Sequence, residues 1–263
     1  MPGVVRPHDV AGSGPAVVLI HAGIADARMW DPQWPALTRD HRVLRLDLGG
    51  FGRAELQPGE LCHAADVLAT MDRAEMPQAT LVGASMGGAV ALEVALAHPN
   101  RVRALVLVAS ALDGEAWSDE LTSAWAAEEE ALDAGDLDAA VAQAVRLWVD
   151  GPGRPEGSAP ADVRALVTQM QRRAYELQLP LDGLVDERPL VRGVGDRLAE
   201  LTMPALVVAG EEDVPDFREI ARRLARELPN ARAAFIAGAA HVPSLERPEA
   251  FEDLLLPFLL EHA

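Results

Sequence analysis

Six short apolar runs, none of which alternates polar and apolar residues, most constrain how this chain can fold. The runs are 16–20, 43–46, 80–82, 104–108, 205–209 and 233–236. Strands that are apolar throughout are buried on both faces, which is typical of a parallel sheet covered by helices. Helical patterns over 86–97 and 216–228 follow two of the runs, and each ends at a Pro-Asn pair. The alternation predicts an α/β fold, with a mostly parallel sheet flanked by helices.

The alternation of strands and helices is interrupted between residues 112 and 201. Apolar residues in this segment recur at helical spacing, and a loop rich in proline and glycine, DGPGRPEGSAP at 150–160, separates two such patterns. The segment is much longer than the usual crossover between strands. We therefore predict a core formed by residues 1–111 and 202–263, and a helical cap insertion formed by residues 112–201.

The composition disfavours several classes of partner. Asp and Glu number 41 against 23 Lys and Arg, a formal net charge of −18, and such a surface repels nucleic acids and anionic membranes. Cys62 is the single cysteine, and no H-E-x-x-H or clustered Cys/His pattern occurs, so we expect no disulfide, no metal and no cofactor. With no predicted signal peptide or membrane span, we expect a cytoplasmic protein acting on a small molecule. The oligomeric state stays open.

A G-x-S-x-G pattern at residues 83–87 places Ser85 between a short apolar run and a long helical pattern. A tight turn of this kind forces the serine backbone into a strained conformation and lifts the hydroxyl clear of the sheet, while the glycines leave room for the neighbouring strand and helix. The N-terminal amides of the following helix point at the same place. This context predicts a nucleophile elbow.

A nucleophilic serine needs a base, and the base needs an orienting acid. His241 follows the last apolar run and precedes the final helical pattern, so it is the predicted base; Asp213, which follows the run at 205–209, is the predicted acid. The order along the chain is then Ser, Asp, His. The alternatives that stay open are His21 as base and Glu212, Asp216 or Asp113 as acid.

An oxyanion hole needs two backbone amides beside the nucleophile. Met86 follows Ser85 and supplies one, and the loop after the run at 16–20 supplies the other. We expect Gly23 to be that second donor, with Ile24 as the alternative. His21 is then expected to brace the loop through hydrogen bonds.

Taken together, these residues resemble the α/β-hydrolase fold superfamily along nearly the whole chain. The motifs that carry the resemblance are HAG at 21–23, DLGGFGRA at 47–54, GASMGG at 83–88, GEEDVPD at 210–216 and AAHVPSLERPEAF at 239–251. The resemblance implies a mostly parallel sheet of the eight-stranded type with a helical cap. It also implies Ser85 as nucleophile, Asp213 as acid, His241 as base and the Met86 and Gly23 amides as oxyanion donors. The elbow and oxyanion loop are similar to those of small esterases, enol-lactone hydrolases and carbon–carbon bond hydrolases.

Two of these motifs depart from the family pattern. The usual His-Gly pair is His21-Ala22, and the D-x-R-G-F-G-x-S motif lacks its arginine and its serine at residues 47–54. These positions are mostly structural in the family, so we expect little effect on catalysis.

The predicted function is a serine hydrolase of the carboxylic ester hydrolase class. Apolar residues are expected to contact the substrate: Ile24, Trp30, Val214 and Val242. They favour a small to medium apolar acyl ester or lactone. The alternatives are a carbon–carbon bond hydrolase, a cofactor-free perhydrolase or lyase that uses the same triad, and a non-catalytic ligand-binding protein of the same fold.

Overall fold

The structure is a computed structural model that describes residues 2–262. The first and last residues of the predicted core, 1 and 263, lie outside the described residues. The strands are β1 (His8–Ala11), β2 (Ala16–Ile20), β3 (Arg42–Leu46), β4 (Gly59–Leu61), β5 (Ala79–Ala84), β6 (Val102–Val108), β7 (Val185–Glu187), β8 (Ala205–Gly210) and β9 (Ala231–Ile236). The α-helices are α1 (Trp34–Asp40), α2 (His63–Arg73), α3 (Met86–Ala97), α4 (Asp119–Asp133), α5 (Leu137–Val145), α6 (Ala161–Gln178), α7 (Pro215–Glu227), α8 (Pro243–Glu246) and α9 (Pro248–Glu261).

A mostly parallel sheet forms the centre of the protein, as the apolar runs predict. Its strand order is β1-β3-β2-β5-β6-β8-β9, and only the pairing of β1 with β3 is antiparallel. All six apolar runs lie within strands of this sheet. Alternate residues of β2 pack on opposite sides, with Val17 and Leu19 in one hydrophobic cluster and Val18 and Ile20 in the other. Burial on both faces explains why the runs in the inner strands β2, β5, β6 and β8 are continuously apolar, whereas Ala233 on the edge strand β9 is exposed.

The strand count differs from the eight-stranded sheet expected from the resemblance. In residues 2–262 the main sheet has seven strands, and β4 and β7 form a separate two-stranded parallel sheet. The physical reason is that β4 and β7 pair with each other, so neither adds a strand to the main sheet.

Three helices lie in the segment between β6 and β8, where the sequence predicts an insertion. Ser118 caps the N-terminus of α4, where its hydroxyl accepts the Leu121 amide at 3.2 Å, and Asp136 caps α5, where its carboxylate accepts the Ala139 amide at 3.0 Å. These N-caps supply acceptors for amides that have no partner within the helix. A π-helical turn over Arg146–Asp150 directly follows α5. Strand β7 also lies in this segment, so the segment is not purely helical.

The described helices show no membrane-spanning character. None of them between residues 2 and 262 combines the length and the apolarity needed to cross a bilayer.

Candidate active site

Ser85 occupies a sharp turn between β5 and α3. Its backbone has φ 49° and ψ −115°, a conformation that L-residues rarely adopt and that stores strain. Neighbouring backbone leaves no room for side chains at the flanking glycines. A Cβ on Gly83 would lie 2.2 Å from the Gly87 carbonyl oxygen, and a Cβ on Gly87 would lie 2.5 Å from the carbonyl oxygens of Ile20 and His21. The glycines therefore permit the strained turn.

Hydrogen bonds to the neighbouring strand hold the elbow in this strained conformation. The Ser85 amide donates to the Val108 carbonyl at 2.9 Å, and the Ser85 carbonyl accepts the Ala111 amide at 3.0 Å. Both partners belong to the end of β6 and the loop that follows it. These bonds anchor the turn to the carboxyl edge of the sheet.

His241 and Asp213 meet at the same edge of the sheet. His241 Nδ1 lies 2.9 Å from Asp213 Oδ1 and 3.1 Å from Oδ2, and the two residues are 3% and 2% exposed. Asp213 Oδ1 also accepts the Val214 amide at 2.7 Å. A carboxylate that accepts the Nδ1 proton leaves Nε2 of the imidazole free to exchange protons with a substrate or nucleophile.

Two aromatic side chains enclose the His241 ring. The ring centroids of Trp148 and Phe217 each lie 4.5 Å from that of the imidazole. Trp148 belongs to the π-helical turn after α5, and its carbonyl accepts the His241 amide at 3.1 Å. A segment of the predicted insertion therefore holds both the ring and the backbone of His241.

Glu246 ties the loop that carries His241 to the same segment. Its Oε1 accepts the Ala240 amide at 2.8 Å and the Val242 amide at 3.4 Å, on either side of His241. Its Oε2 lies 3.0 Å from Arg154 Nη2. No sequence pattern predicts a role for Glu246 or Arg154, although Glu246 lies within the motif around His241. Their pairing joins segments far apart in the chain, so no local signal was available to identify it.

His21, the alternative base, is fully buried and has both ring nitrogens engaged. Nε2 accepts the Leu48 amide at 2.9 Å, so the proton is on Nδ1, which donates to the Ala22 carbonyl at 2.8 Å. Burial lowers the pKa of His21, which favours this neutral form. His21 thus braces the loop after β2, as expected.

The alternative acids are engaged elsewhere or lie apart from His241. The Asp113 carboxylate accepts the amides of Gly193, Val194 and Gly195 at 2.7–3.1 Å. Asp216 accepts the amide and the hydroxyl of Ser118 and thereby supports the start of α4. No contact between Glu212 and His241 occurs in the described part of the chain. Among these four acids, all within residues 2–262, only Asp213 forms a hydrogen bond with His241.

The predicted oxyanion donors lie next to each other. A Cβ on Gly23 would be 3.7 Å from Met86 Sδ, so the loop after β2 passes close to the start of α3. Within residues 2–262, neither the Gly23 amide nor the Met86 amide donates a hydrogen bond to another backbone group. Ile24 borders the same space. Gly23 and Ile24 both stay open as the second donor.

A cavity of about 330 Å³ brings most of these groups together. Its lining consists of Gly23, Ile24, Ser85, Met86, Ala89, Ala111, Trp117, Trp125, Glu128, Trp148, Gln171, Phe217 and His241. The candidate nucleophile and the candidate base therefore face one space with largely apolar walls. That volume suits a small or medium ligand.

Three of the four residues predicted to contact substrate do not line this cavity, and their contact with a substrate stays a prediction. Trp30 is fully buried and packs against Phe251, with ring centroids 6.3 Å apart. Val214 packs in a hydrophobic cluster with Phe217, and Val242 is buried in the cluster that contains Trp30. Each has an apolar side chain that the core itself buries. Ile24 does line the cavity.

Comparison with known proteins connects this geometry to a family. The family model of the alpha/beta hydrolase fold matches residues 15–248. The pimeloyl-[acyl-carrier protein] methyl ester esterase of Aeromonas hydrophila is 30% identical over 258 residues, which cover 94% of this chain and 96% of the esterase. The chain belongs to the α/β-hydrolase fold family. It is therefore a hydrolase of this fold.

Two further relatives show how widely the similarity extends. The dihydrolipoyllysine-residue acetyltransferase component of the acetoin cleaving system of Pseudomonas putida is 33% identical, over 98% of this chain and 67% of that protein. The solved structure of Est816, an N-acyl homoserine lactone degrading enzyme, is 26% identical, has a TM-score of 0.73 and is covered over 96% of both chains. Both matches extend along nearly the whole hydrolase.

The cavity of this hydrolase has a polar group on its wall that the sequence analysis missed. Glu128, on α4, lines the cavity, and its Oε1 accepts the hydroxyl of Tyr175, which is on α6. Burial raises the pKa of Glu128 and also that of Tyr175. Glu128 lies in a run of acidic residues that reads as a solvated helix face, so sequence alone does not single it out. In residues 2–262, no group of three or more His, Cys, Asp or Glu is arranged to hold a metal ion.

Proposed function

We propose that this protein is a serine hydrolase that cleaves a carboxylic ester or a lactone of small to medium size. The observation that carries the proposal is the hydrogen bond of His241 Nδ1 to the Asp213 carboxylate, beside a strained Ser85 that lines the same cavity. The similarity to a methyl ester esterase supports the ester, and the similarity to a lactone-degrading enzyme supports the lactone.

In the proposed first half-reaction, Ser85 Oγ attacks the carbonyl carbon while His241 Nε2 takes the hydroxyl proton. The Asp213 carboxylate stabilises the imidazolium that forms. The carbonyl oxygen becomes an oxyanion that accepts the Met86 amide and the amide of Gly23 or Ile24. The bond to the leaving oxygen then breaks, and His241 Nε2 donates its proton to that oxygen.

The second half-reaction repeats this chemistry with water. His241 Nε2 takes a proton from a water molecule, and the resulting hydroxide attacks the acyl carbon bound to Ser85. Collapse of the second oxyanion breaks the bond to Ser85 Oγ, which recovers its proton from His241. An ester gives a carboxylic acid and an alcohol, a lactone gives a single hydroxy acid, and no cofactor takes part in these steps.

We further propose that residues 112–201 act as a cap over a core formed by residues 1–111 and 202–263. In support, five cavity-lining residues come from this segment: Trp117, Trp125, Glu128, Trp148 and Gln171. A cap that supplies so much of the wall would select substrates and exclude water from the acyl-enzyme.

A Ser85→Ala variant tests the proposed nucleophile. Hydrolysis of p-nitrophenyl butyrate is expected to fall by about 10³-fold or more, and labelling by a fluorophosphonate probe is expected to disappear. The matched control is Ser110→Ala, which removes a buried hydroxyl next to the elbow that does not line the cavity. Unchanged turnover or labelling of Ser85→Ala would refute the assignment, as would an unmodified protein that neither turns over esters nor reacts with the probe.

A further inference from the structure

A polar cluster on the cap side of the cavity has no role in the proposed reaction. Glu128 lines the cavity and accepts the hydroxyl of Tyr175, whose side chain is 6% exposed. Gln171 also lines the cavity, is 7% exposed, and has a buried Oε1 that accepts no hydrogen bond within residues 2–262. Native proteins rarely leave such acceptors without partners. The cluster therefore presents one unpartnered acceptor, Gln171 Oε1, and the Glu128 carboxylate at the proposed substrate cavity.

Charge and aromatic character single out Glu128 within the lining. No lysine or arginine lines the cavity, and apart from His241 its one ionisable residue is Glu128. Burial raises the pKa of this carboxyl, because no cation compensates for the water it has lost. A carboxylate in a desolvated position gains most from a positively charged partner.

The aromatic side chains that line the cavity also favour binding of a cation. Trp117, Trp125, Trp148 and Phe217 line the cavity, and neighbouring rings of this group lie 5.4–6.4 Å apart. The faces of such rings attract ammonium groups, most strongly where water is excluded. The net charge of −18 also draws cations toward the protein.

We propose that the preferred substrates are esters or lactones that carry a protonated amino group, and that this ammonium binds the Glu128 carboxylate. Tyr175 is a positioning residue, because its hydroxyl donates to one oxygen of Glu128 and leaves the other for the ligand. Gln171 Oε1 adds a nearby acceptor. This inference rests on the proposed ester hydrolase function and names its substrate class. An anionic tail would be repelled from the same place.

Three methyl esters with the same five-methylene tail test the proposal: methyl 6-ammoniohexanoate, methyl heptanoate and monomethyl pimelate. They differ only in an ammonium, a methyl or a carboxylate end group, and acid release at pH 7 in a pH-stat reports kcat/KM for each. We expect kcat/KM for methyl 6-ammoniohexanoate to exceed that for methyl heptanoate by about tenfold or more, since a charge-assisted contact of this kind is partly desolvated. The carboxylate ester is expected to be the poorest.

Two variants connect this preference to Glu128. Glu128→Gln is expected to bring the ratio of kcat/KM for methyl 6-ammoniohexanoate to that for methyl heptanoate close to one. Glu129→Gln removes the same charge from an exposed neighbour on α4 and is expected to keep the ratio. Equal rates for the two esters in the unmodified protein would overturn the proposal without any variant, and so would a ratio that Glu128→Gln leaves unchanged.

A binding measurement separates failure of this inference from failure of the proposed function. Ser85→Ala is titrated with pentylammonium chloride, 1-pentanol and sodium pentanoate, and the fluorescence of the cavity tryptophans reports binding. We expect pentylammonium to bind about tenfold more tightly than pentanol, and Glu128→Gln to abolish that difference. If no ester is hydrolysed but pentylammonium is preferred, the proposed function fails and the ammonium site stands. If esters are hydrolysed without either preference, only the ammonium site fails.

Discussion

Replacing Glu246 with alanine should destabilise the protein through the partners that the carboxylate leaves behind. The Glu246 side chain is 0% exposed, and its oxygens serve the Ala240 and Val242 amides and the Arg154 guanidinium. Burial raises the pKa of Glu246 in spite of Arg154, so the charge itself does not stabilise the fold. The cost of the substitution comes from donors that lose a buried acceptor.

The expected loss in free energy of unfolding depends on which other acceptors those donors keep. Removing one partner of a buried ion pair costs about 3–5 kcal/mol. Arg154 keeps hydrogen bonds to the carbonyl oxygens of Val149, Asp150 and Gly238, which places the expected loss at the lower end. We expect the free energy of unfolding to fall by about 3 kcal/mol, and Tm to fall by roughly 6–12 °C for a chain of this size.

Urea unfolding at pH 7 measures the change in free energy, and thermal unfolding measures Tm. Because Glu246 flanks His241 through the Ala240 and Val242 amides, we also expect kcat for p-nitrophenyl butyrate to fall by about tenfold, with little change in KM. Glu249→Ala removes an exposed carboxylate nearby and should cost less than about 0.5 kcal/mol. A loss below about 1 kcal/mol for Glu246→Ala would refute this reasoning.

Three further substitutions test other parts of the molecule. Asp213→Asn should lower kcat for esters by roughly 10³–10⁴-fold, because an amide in that place favours the wrong imidazole tautomer; turnover within tenfold of the unmodified protein would contradict this role. Gly87→Ala should lower Tm, because its Cβ would lie 2.5 Å from two carbonyl oxygens. In the control Gly153→Ala the new Cβ meets nothing within 4 Å, so Tm should not change. Equal Tm values for the two variants would show that the elbow relaxes around the added methyl group. Burial raises the pKa of Glu93 from its ordinary value of 4.5 to about 7. The stability contributed by protonated Glu93 is therefore fully present below pH 4.5 and is lost as the pH rises through about 7. Glu93→Gln should remove this decline in the free energy of unfolding, measured in urea between pH 5 and pH 8. If the free energies of the variant and of the unmodified protein fall in parallel over this range, the prediction is wrong.

Local patterns in the sequence were sufficient for six of the seven strands of the central sheet and for the elbow, but they did not predict β1, β4 or β7. All six apolar runs lie in the central sheet, and those in β2, β5, β6 and β8 are apolar because both faces of these inner strands are buried. The elbow at Ser85 is readable for a similar reason, since its glycines meet backbone atoms that any α/β turn of this kind brings close. The roles of Ser85, Asp213 and His241 in catalysis stay predictions.

Only the tertiary structure decided which side chains face the cavity and which pack in the core. Trp30, Val242 and Ile24 are all apolar and buried in one hydrophobic cluster, yet only Ile24 of the three lines the cavity, because the direction of a side chain depends on the packing of distant elements. The contact of Glu128 with Tyr175 joins residues 47 positions apart, and that of Arg154 with Glu246 joins residues 92 positions apart. Apolar runs report local burial, so six strands of the sheet and the elbow can be predicted from the sequence, whereas pairings between polar groups so distant along the chain exist only once the chain has folded.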